Sequence, residues 1–153
     1  MTTTLPNDIP YIFDGMVLLQ QVDQKKVETF GDVSKSILDR IAVSSTVYFV
    51  TDQYKEGSVK SFERQRRQNI GTIKMEVAKH RSCPKQWNKF LADSSNKLEL
   101  CDFILKDWIN HHSNIIEGRT IYFNLGSKFF KLTSSNGQVC GILTFLKVVK
   151  YKF

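Results

Sequence analysis

Two aspartates in this sequence each follow a run of apolar and aromatic residues. Asp14 comes directly after Tyr-Ile-Phe, and Asp52 comes after Tyr-Phe-Val-Thr. In an open parallel sheet, ligands bind outside the carboxyl ends of the strands. Two carboxylates at that edge would bind Mg²⁺ or Mn²⁺, because hard cations prefer oxygen ligands, and such an ion can orient water towards a phosphodiester. The alternative is that each aspartate forms a turn or caps a helix, which is a common role of Asp.

A strongly basic segment follows the second aspartate. Residues 60–89 contain nine Lys or Arg and two Glu, whereas the rest of the chain contains thirteen residues of each sign. Such a concentration of charge attracts polyanions, and Lys and Arg supply the phosphate contacts that position a nucleic acid. On a helix, residues three and four apart share one face. The predicted phosphate contacts to DNA or RNA are Lys60, Arg64, Arg66 and Arg67. The alternative is a solvated helix or a flexible basic loop.

Three widely spaced cysteines favour a reducing compartment, because secreted domains tend to pair their cysteines. We therefore expect an intracellular protein, nuclear or cytoplasmic. A zinc site would have to combine His80 and Cys83 with His111, His112 or Cys101. These residues lack the paired CxxC spacing that is typical of zinc sites. Buried or surface thiols are the simpler interpretation.

Length and hydropathy favour one globular domain over a disordered or membrane-spanning chain. The 153 residues are 41% hydrophobic, which is too apolar for a disordered chain. No apolar run approaches the ~20 residues that cross a bilayer. The amino terminus has neither the basic start nor the apolar core of a secretory signal. We expect no contact with a membrane.

The hydrophobic pattern predicts an α/β fold with a largely parallel central sheet, flanking helices and a carboxyl-terminal hairpin. Residues 9–13 and 46–50 are predicted to be buried strands, and residues 119–125 a third. Residues 129–133 and 139–149 flank Asn136-Gly137, a dipeptide typical of hairpin turns.

Capping residues and apolar periodicity predict the helices. Thr29 and Asp32 resemble a capping box, ahead of apolar residues at helical spacing. Ser58 would cap a helix over residues 59–68, and Ser94 or Ser95 would cap a long amphipathic helix. The predicted apolar face of the long helix consists of Leu98, Cys101, Ile104, Leu105, Trp108 and Ile109. Residues 69–85 lack periodicity and are predicted to form a basic loop. A short helical turn is expected at Trp87, Phe90 and Leu91.

The residues around both aspartates resemble PIN-like nucleases. Tyr-Ile-Phe-Asp14-Gly is similar to the first acidic motif of that family. Tyr-Phe-Val-Thr-Asp52, followed by Lys60 and Arg67, is similar to the flap-endonuclease and exoribonuclease branch of 5′-nucleases. In that branch, a strand-end Asp precedes a helix that carries a Lys and an Arg seven residues apart. The resemblance covers roughly residues 9–135 and extends to a group of uncharacterised animal proteins.

The resemblance implies a PIN-like fold and metal-assisted attack of water on a phosphodiester. Asp14 and Asp52 would be the catalytic metal ligands, with Mg²⁺ or Mn²⁺ as the cofactor. Lys60, Arg64, Arg66 and Arg67 would bind DNA or RNA.

The sequence departs from the family at its carboxyl end. The family adds further carboxylates near a later strand end, whereas no acidic residue follows Glu117 here. Glu99, Asp102 and Asp107 are expected on the solvent face of the long helix. We therefore expect one PIN-like domain over residues 1–153 that is incomplete at its carboxyl end and weakly active or inactive. The alternatives are a non-catalytic nucleic-acid-binding remnant and a protein-interaction remnant.

Overall fold

The computed structural model describes residues 9–52 and 73–144, with the backbone alone for residues 141–144. Its five strands form one open sheet: β1 Tyr11–Asp14, β2 Thr46–Val50, β3 Thr120–Leu125, β4 Lys128–Ser135 and β5 Gln138–Thr144. The helices in these ranges are α1 Gly15–Gln20, α2 Phe30–Ile41, α3 Trp87–Ala92, α4 Ser94–His111 and α5 Ser113–Ile116. The chain is therefore an α/β protein. None of the helices in these ranges has the length and hydropathy to span a bilayer.

The sheet is mixed, with its strands in chain order from β1 to β5. The β1–β2 and β2–β3 pairs are parallel, and the β3–β4 and β4–β5 pairs are antiparallel. The expectation of a largely parallel sheet is therefore not confirmed. Only Gly126 and Ser127 separate β3 from β4, and a parallel pair needs a crossover of a dozen or more residues. Gly126 makes the tight turn possible by adopting a φ of 58°.

The predicted carboxyl-terminal hairpin is confirmed. Ser135 of β4 pairs with Gln138 of β5, so Asn136 and Gly137 form a two-residue turn. Their φ angles are 52° and 76°, as a type I′ turn requires at both central positions.

The described helices pack on one face of the sheet. Val47, Phe49, Ile121 and Phe123 of β2 and β3 are fully buried on that face. The Trp108 ring of α4 contacts Phe49 and Phe123 edge-on, with centroid distances of 5.4 and 5.3 Å. The cause is topological: when successive parallel strands advance in one direction, right-handed crossovers place the connecting helices on the same face.

The opposite face carries exposed apolar side chains. Ile12 is 75% exposed, Tyr48 37% and Val50 41%. Tyr48 stacks on Tyr122 of the neighbouring strand, with ring centroids 4.7 Å apart. The prediction of a buried strand at residues 9–13 is wrong, because β1 is an edge strand that pairs with β2 alone in the described sheet.

Helix α2 begins as predicted. The Thr29 hydroxyl accepts the Asp32 backbone N–H, and the Asp32 carboxylate accepts the Thr29 backbone N–H at 2.9 Å. Hydrogen bonds from the Thr29 backbone and hydroxyl hold the pKa of Asp32 below its ordinary value. The apolar positions of the predicted helix are buried: Val33, Ile37, Leu38 and Ile41.

Helix α4 differs from the prediction at two points. Its cap is Asp93, whose carboxylate accepts the Ser95 backbone N–H at 2.8 Å, and neither Ser94 nor Ser95 has this role. The predicted apolar face is correct for Cys101, Ile104, Leu105 and Trp108. However, Leu98 is 38% exposed, and Asp107 is buried instead of lying on the solvent face.

Candidate nucleic-acid interface

Asp14 and Asp52 follow neighbouring parallel strands and lie at the same edge of the sheet. Asp14 is paired in register with Val50, and Asp52 is two residues further along the chain. Adjacent strands are about 4.8 Å apart and two residues span at most about 7 Å, so the two Cα atoms are no more than about 12 Å apart. Both residues are exposed. We call this end of the sheet, where β1 and β2 terminate, the carboxyl edge. The sequence predicts a ligand site there.

Asp14 has a structural role at this edge. Its Oδ1 atom accepts the backbone N–H groups of Met16 at 2.9 Å and Val17 at 3.1 Å, which caps α1. The helix-cap alternative considered for this aspartate is therefore correct. Both bonds use Oδ1, so the cap leaves the second carboxylate oxygen for a ligand.

The residue after Asp14 must be glycine for reasons of space. A Cβ atom on Gly15 would lie 2.6 Å from Cζ of Phe49 and 3.1 Å from the Val50 carbonyl oxygen. Real Cβ atoms essentially never lie within 3.0 Å of another heavy atom, as the contact with Phe49 would require. The absence of a side chain lets the start of α1 contact β2, and this close approach brings Asp14 to the strand that leads to Asp52.

A buried polar contact fixes the end of β2. The Thr51 hydroxyl donates to the Asn124 carbonyl oxygen at 2.8 Å, and the Thr51 backbone N–H donates to Asn124 Oδ1 at 3.2 Å. The Asn124 amide in turn donates to the Gly126 carbonyl at 3.0 Å. Sequence reasoning missed Asn124; the available signal was a lone amide in the apolar run Tyr-Phe-Asn-Leu. Asp52 thus follows an anchored residue.

Helix α4 lies within electrostatic reach of Asp52. Burial raises the pKa of the Cys101 thiol to about 12, with Lys97 opposing the shift and Asp52 adding to it. Burial also raises the pKa of Cys83 to about 11. Both thiols are therefore protonated at neutral pH and behave as buried or half-buried apolar groups.

The described residues contain no group of three or more His, Cys, Asp or Glu side chains arranged to hold a metal ion. Two carboxylates, one of which caps a helix, fit one hydrated cation that keeps most of its water, and not a two-metal centre. The predicted phosphate contacts at Lys60, Arg64, Arg66 and Arg67 lie outside the described residues, as does the predicted helix over residues 59–68.

The described part of the predicted basic loop is held against α2 by its own backbone. The Phe30 N–H donates to the Arg81 carbonyl at 3.1 Å, and the Gly31 N–H donates to the Lys79 carbonyl at 3.0 Å. The Asp32 backbone N–H donates to the Thr29 hydroxyl, so the first three backbone N–H groups of α2 all have acceptors. A helix itself offers no acceptors to the N–H groups of its first turn. Residues 79–81 of the basic loop are therefore part of the folded structure.

A buried carboxylate on α4 holds the same loop by charge. The Asp107 side chain is 1% exposed, and its Oδ1 lies 3.6 Å from Lys79 Nζ and 3.0 Å from His111 Nδ1. His112 Nε2 donates to Oδ2 at 3.0 Å. Burial alone would raise the pKa of Asp107, but the Ser34 hydroxyl, His112 and Lys79 outweigh it and hold that pKa below its ordinary value.

The basic residues of the loop are therefore not equivalent. Lys79 is paired with Asp107, and Arg81 is paired with Glu76 at 2.9 Å. Lys85 and Lys89 are exposed and have no ion pair among the residues that the structure describes. These two lysines, together with the exposed Lys74 near the start of the described loop, are available to an external anion.

Comparisons with known proteins leave the family open. No protein-family model, curated protein or solved structure matches this chain.

Proposed function

We propose that this chain is a nucleic-acid-binding domain related to the metal-dependent PIN-like nucleases, with weak or no nuclease activity. The observation that carries the proposal is the position of Asp14 and Asp52 at the carboxyl edge of the parallel β1–β2 pair. That edge is where ligands bind in open α/β sheets. The parallel strands β1 to β3, with helices between them, are the part of a PIN-like architecture that this proposal requires.

Charge supports a nucleic acid as the partner. The segment that follows Asp52 carries nine basic and two acidic residues between positions 60 and 89. In its described part, the Lys79 and Arg81 carbonyls hold the chain against α2, and the Lys79 side chain pairs with Asp107 of α4. A basic segment that follows a strand-end carboxylate in the sequence suits a phosphodiester partner, because cations neutralise phosphates and a metal ion can bridge to a carboxylate.

A non-catalytic binding domain is the second candidate. This candidate is favoured by the role of Asp14 in capping α1, because the Oδ1 atom of its carboxylate is already occupied by two backbone N–H groups. In this case the basic segment alone would bind DNA or RNA. The two candidates differ in their need for a metal: chelation should leave non-catalytic binding unchanged.

The first prediction tests nucleic-acid binding. Reversing Lys60, Arg64 and Arg67 to Glu should weaken binding to a fluorescein-labelled oligonucleotide by about a hundredfold, because three phosphate contacts and their released counterions are lost. Fluorescence anisotropy at several salt concentrations measures both the affinity and its salt dependence.

The control carries the same change in charge elsewhere. Lys26, Lys35 and Lys106 are exposed, and their reversal to Glu should have a much smaller effect. Equal losses in the two triple variants would indicate a response to net charge alone. Unchanged binding by the Lys60, Arg64 and Arg67 variant would remove the basic segment from the proposed interface.

The second prediction concerns metal and cleavage. Mn²⁺ should bind at Asp14 and Asp52 with a dissociation constant of about millimolar, since a hard cation with few protein ligands is held weakly. An Asp52→Asn variant should lose this binding in a water-proton relaxation titration. Labelled single-stranded, double-stranded and flapped substrates should be cleaved slowly or not at all in Mg²⁺ or Mn²⁺.

Asp102 provides the matched control for Asp52. Its carboxylate lies on α4 beside Lys106, and the Asp102→Asn variant should bind Mn²⁺ like the parent. Rapid cleavage that disappears in Asp52→Asn would contradict the expected inactivity and make this chain a working nuclease. Mn²⁺ binding that survives in Asp52→Asn would remove the metal site from the carboxyl edge.

A further inference from the structure

A groove opens between the end of α1 and the start of α3. Its volume is about 440 Å³, within the usual range for ligand sites. Val22 and Trp87, both largely buried, contribute its apolar lining. Its polar lining is Gln20, Gln24, Lys85, Gln86, Asn88 and Lys89.

The wall formed by α3 is rigidly attached to α1. The Trp87 indole N–H donates to the Leu19 carbonyl at 2.8 Å, and this bond is buried. The Trp87 ring also stacks on Phe90 with a centroid distance of 5.3 Å and contacts Phe30 at 6.3 Å. The lysines and carboxamides on either side of Trp87 therefore project from a fixed backbone.

The polar lining consists of two ammonium groups and four carboxamides, with no carboxylate. Lysine offers hydrogen-bond donors and positive charge, whereas a carboxamide offers both donors and an acceptor. Asp23 adjoins the groove in sequence, but its carboxylate contacts the Lys25 backbone N–H at 3.0 Å and Lys26 Nζ at 3.6 Å. The groove is thus suited to an anion that also carries hydrogen-bonding edges.

One donor in this lining lacks an acceptor. Gln24 Nε2 is shielded from solvent and has no hydrogen-bond partner among the described residues. A buried donor without an acceptor is unfavourable, and a ligand acceptor that reached this atom would satisfy it.

A second groove of similar size provides a contrast. It lies between the basic loop and α4, has a volume of about 410 Å³, and is lined by Lys74 together with Glu76 and Glu99. Two carboxylates would repel a polyanion there. Charge therefore distinguishes the groove at α3 from a cavity of comparable dimensions.

We propose that the groove between α1 and α3 binds a single-stranded segment of nucleic acid. This inference rests on the proposed function and specifies where the strand lies. Lys85 and Lys89 contact phosphates, and the carboxamides hydrogen-bond base edges, as Asn and Gln do in other nucleic-acid complexes. We assign a single strand because its unpaired bases also offer their Watson–Crick edges to such groups, whereas a duplex does not.

The groove is also close to the carboxyl edge. Gln20 ends α1, and α1 begins directly after Asp14. A helix of six residues is about 9 Å long. A strand bound in the groove therefore extends to the Asp14 and Asp52 edge within a few nucleotides.

The test compares two double charge reversals in the full chain. Lys85→Glu with Lys89→Glu should weaken binding to fluorescein-labelled oligouridine or oligothymidine about tenfold. The slope of log affinity against log salt should fall by about 1.4, because each phosphate contact on a single strand contributes about 0.7. Lys35→Glu with Lys106→Glu has the same net charge and should keep the parent slope. A duplex probe should respond less to the groove variant than the single strands do.

Lysine acetylation of the unmodified protein provides a second measurement that needs no variant. The oligonucleotide should protect Lys85 and Lys89 and leave Lys35 and Lys106 reactive. If the parent binds but both double variants behave alike and Lys85 and Lys89 remain reactive, the groove assignment is wrong and the proposed function stands. If the parent binds no nucleic acid, both fail. An equal loss for duplex and single strand would overturn the single-strand assignment.

Discussion

Replacing Gly15 with alanine should lower the free energy of unfolding by about 1–3 kcal/mol, and replacing it with valine should cost more. The added Cβ would lie 2.6 Å from the Phe49 ring. That ring cannot move aside cheaply, because it is fully buried between Trp108 and Phe123, with centroid distances of 5.4 and 4.8 Å. Urea denaturation followed by circular dichroism measures the loss. The same substitution should weaken Mn²⁺ binding, since relief of the clash moves Asp14 away from β2.

A double-mutant cycle identifies the clash as the cause. In a Phe49→Leu background the end of the ring is absent, so Gly15→Ala should cost much less than it does in the parent. The same cost in both backgrounds would show that the contact with Phe49 does not explain the requirement for glycine. The helical backbone preference of alanine over glycine works in the opposite direction and cannot produce the expected loss.

Replacing Asp107 with asparagine should lower the free energy of unfolding by about 1–3 kcal/mol at pH 7. The carboxylate is 1% exposed and holds Lys79 of the basic loop and His112, which directly follows α4. Removal of its charge leaves those partners without a buried acceptor of the same strength. Asp102→Asn is the matched control on the same helix, because its exposed pair with Lys106 is worth only a few tenths of a kcal/mol.

The effect of Asp107 should depend on pH in a defined direction. Its folded-state pKa is lowered, so its contribution is fully present above the unfolded pKa of about 3.9 and is lost as pH falls through the folded pKa. The stability difference between parent and Asp107→Asn should therefore be largest near neutrality and shrink in acid below about pH 4. A difference of equal size at pH 7 and in strong acid would mean that ionisation of Asp107 is not what stabilises the fold.

Local signals in the sequence predicted the local structure. Asn136-Gly137 marked a hairpin, and Thr29 with Asp32 marked the start of α2, because each signal acts between residues close in the chain. The same reasoning did not reveal that β1 is an edge strand. An apolar run has the same composition in a central strand and in an edge strand. The order of the strands is therefore known only from their hydrogen-bonded pairing in the structure.

The sequence predicted the positions of Asp14 and Asp52 at neighbouring strand ends more fully than their surroundings, because strand ends can be located from hydrophobic runs. Asp107 was predicted on the wrong face of α4. The helical period is read from apolar residues, and it gives no information about a carboxylate that pairs with Lys79 in a distant loop. The groove was not foreseen either, since Gln20 and Lys89 come from segments far apart in the chain that the Trp87 contact with α1 brings together.

The bonds between the basic loop and α2 make the start of that helix depend on the order of synthesis. Phe30 and Gly31 take their acceptors from Arg81 and Lys79, about fifty residues later in the chain. A nascent chain that has passed α2 but not the loop lacks those carbonyls, so the first turn retains open donors until the ribosome has delivered the basic segment. The first turn of α2 is then completed only when residues 79–81 have been synthesised, and a chain interrupted before them lacks both acceptors.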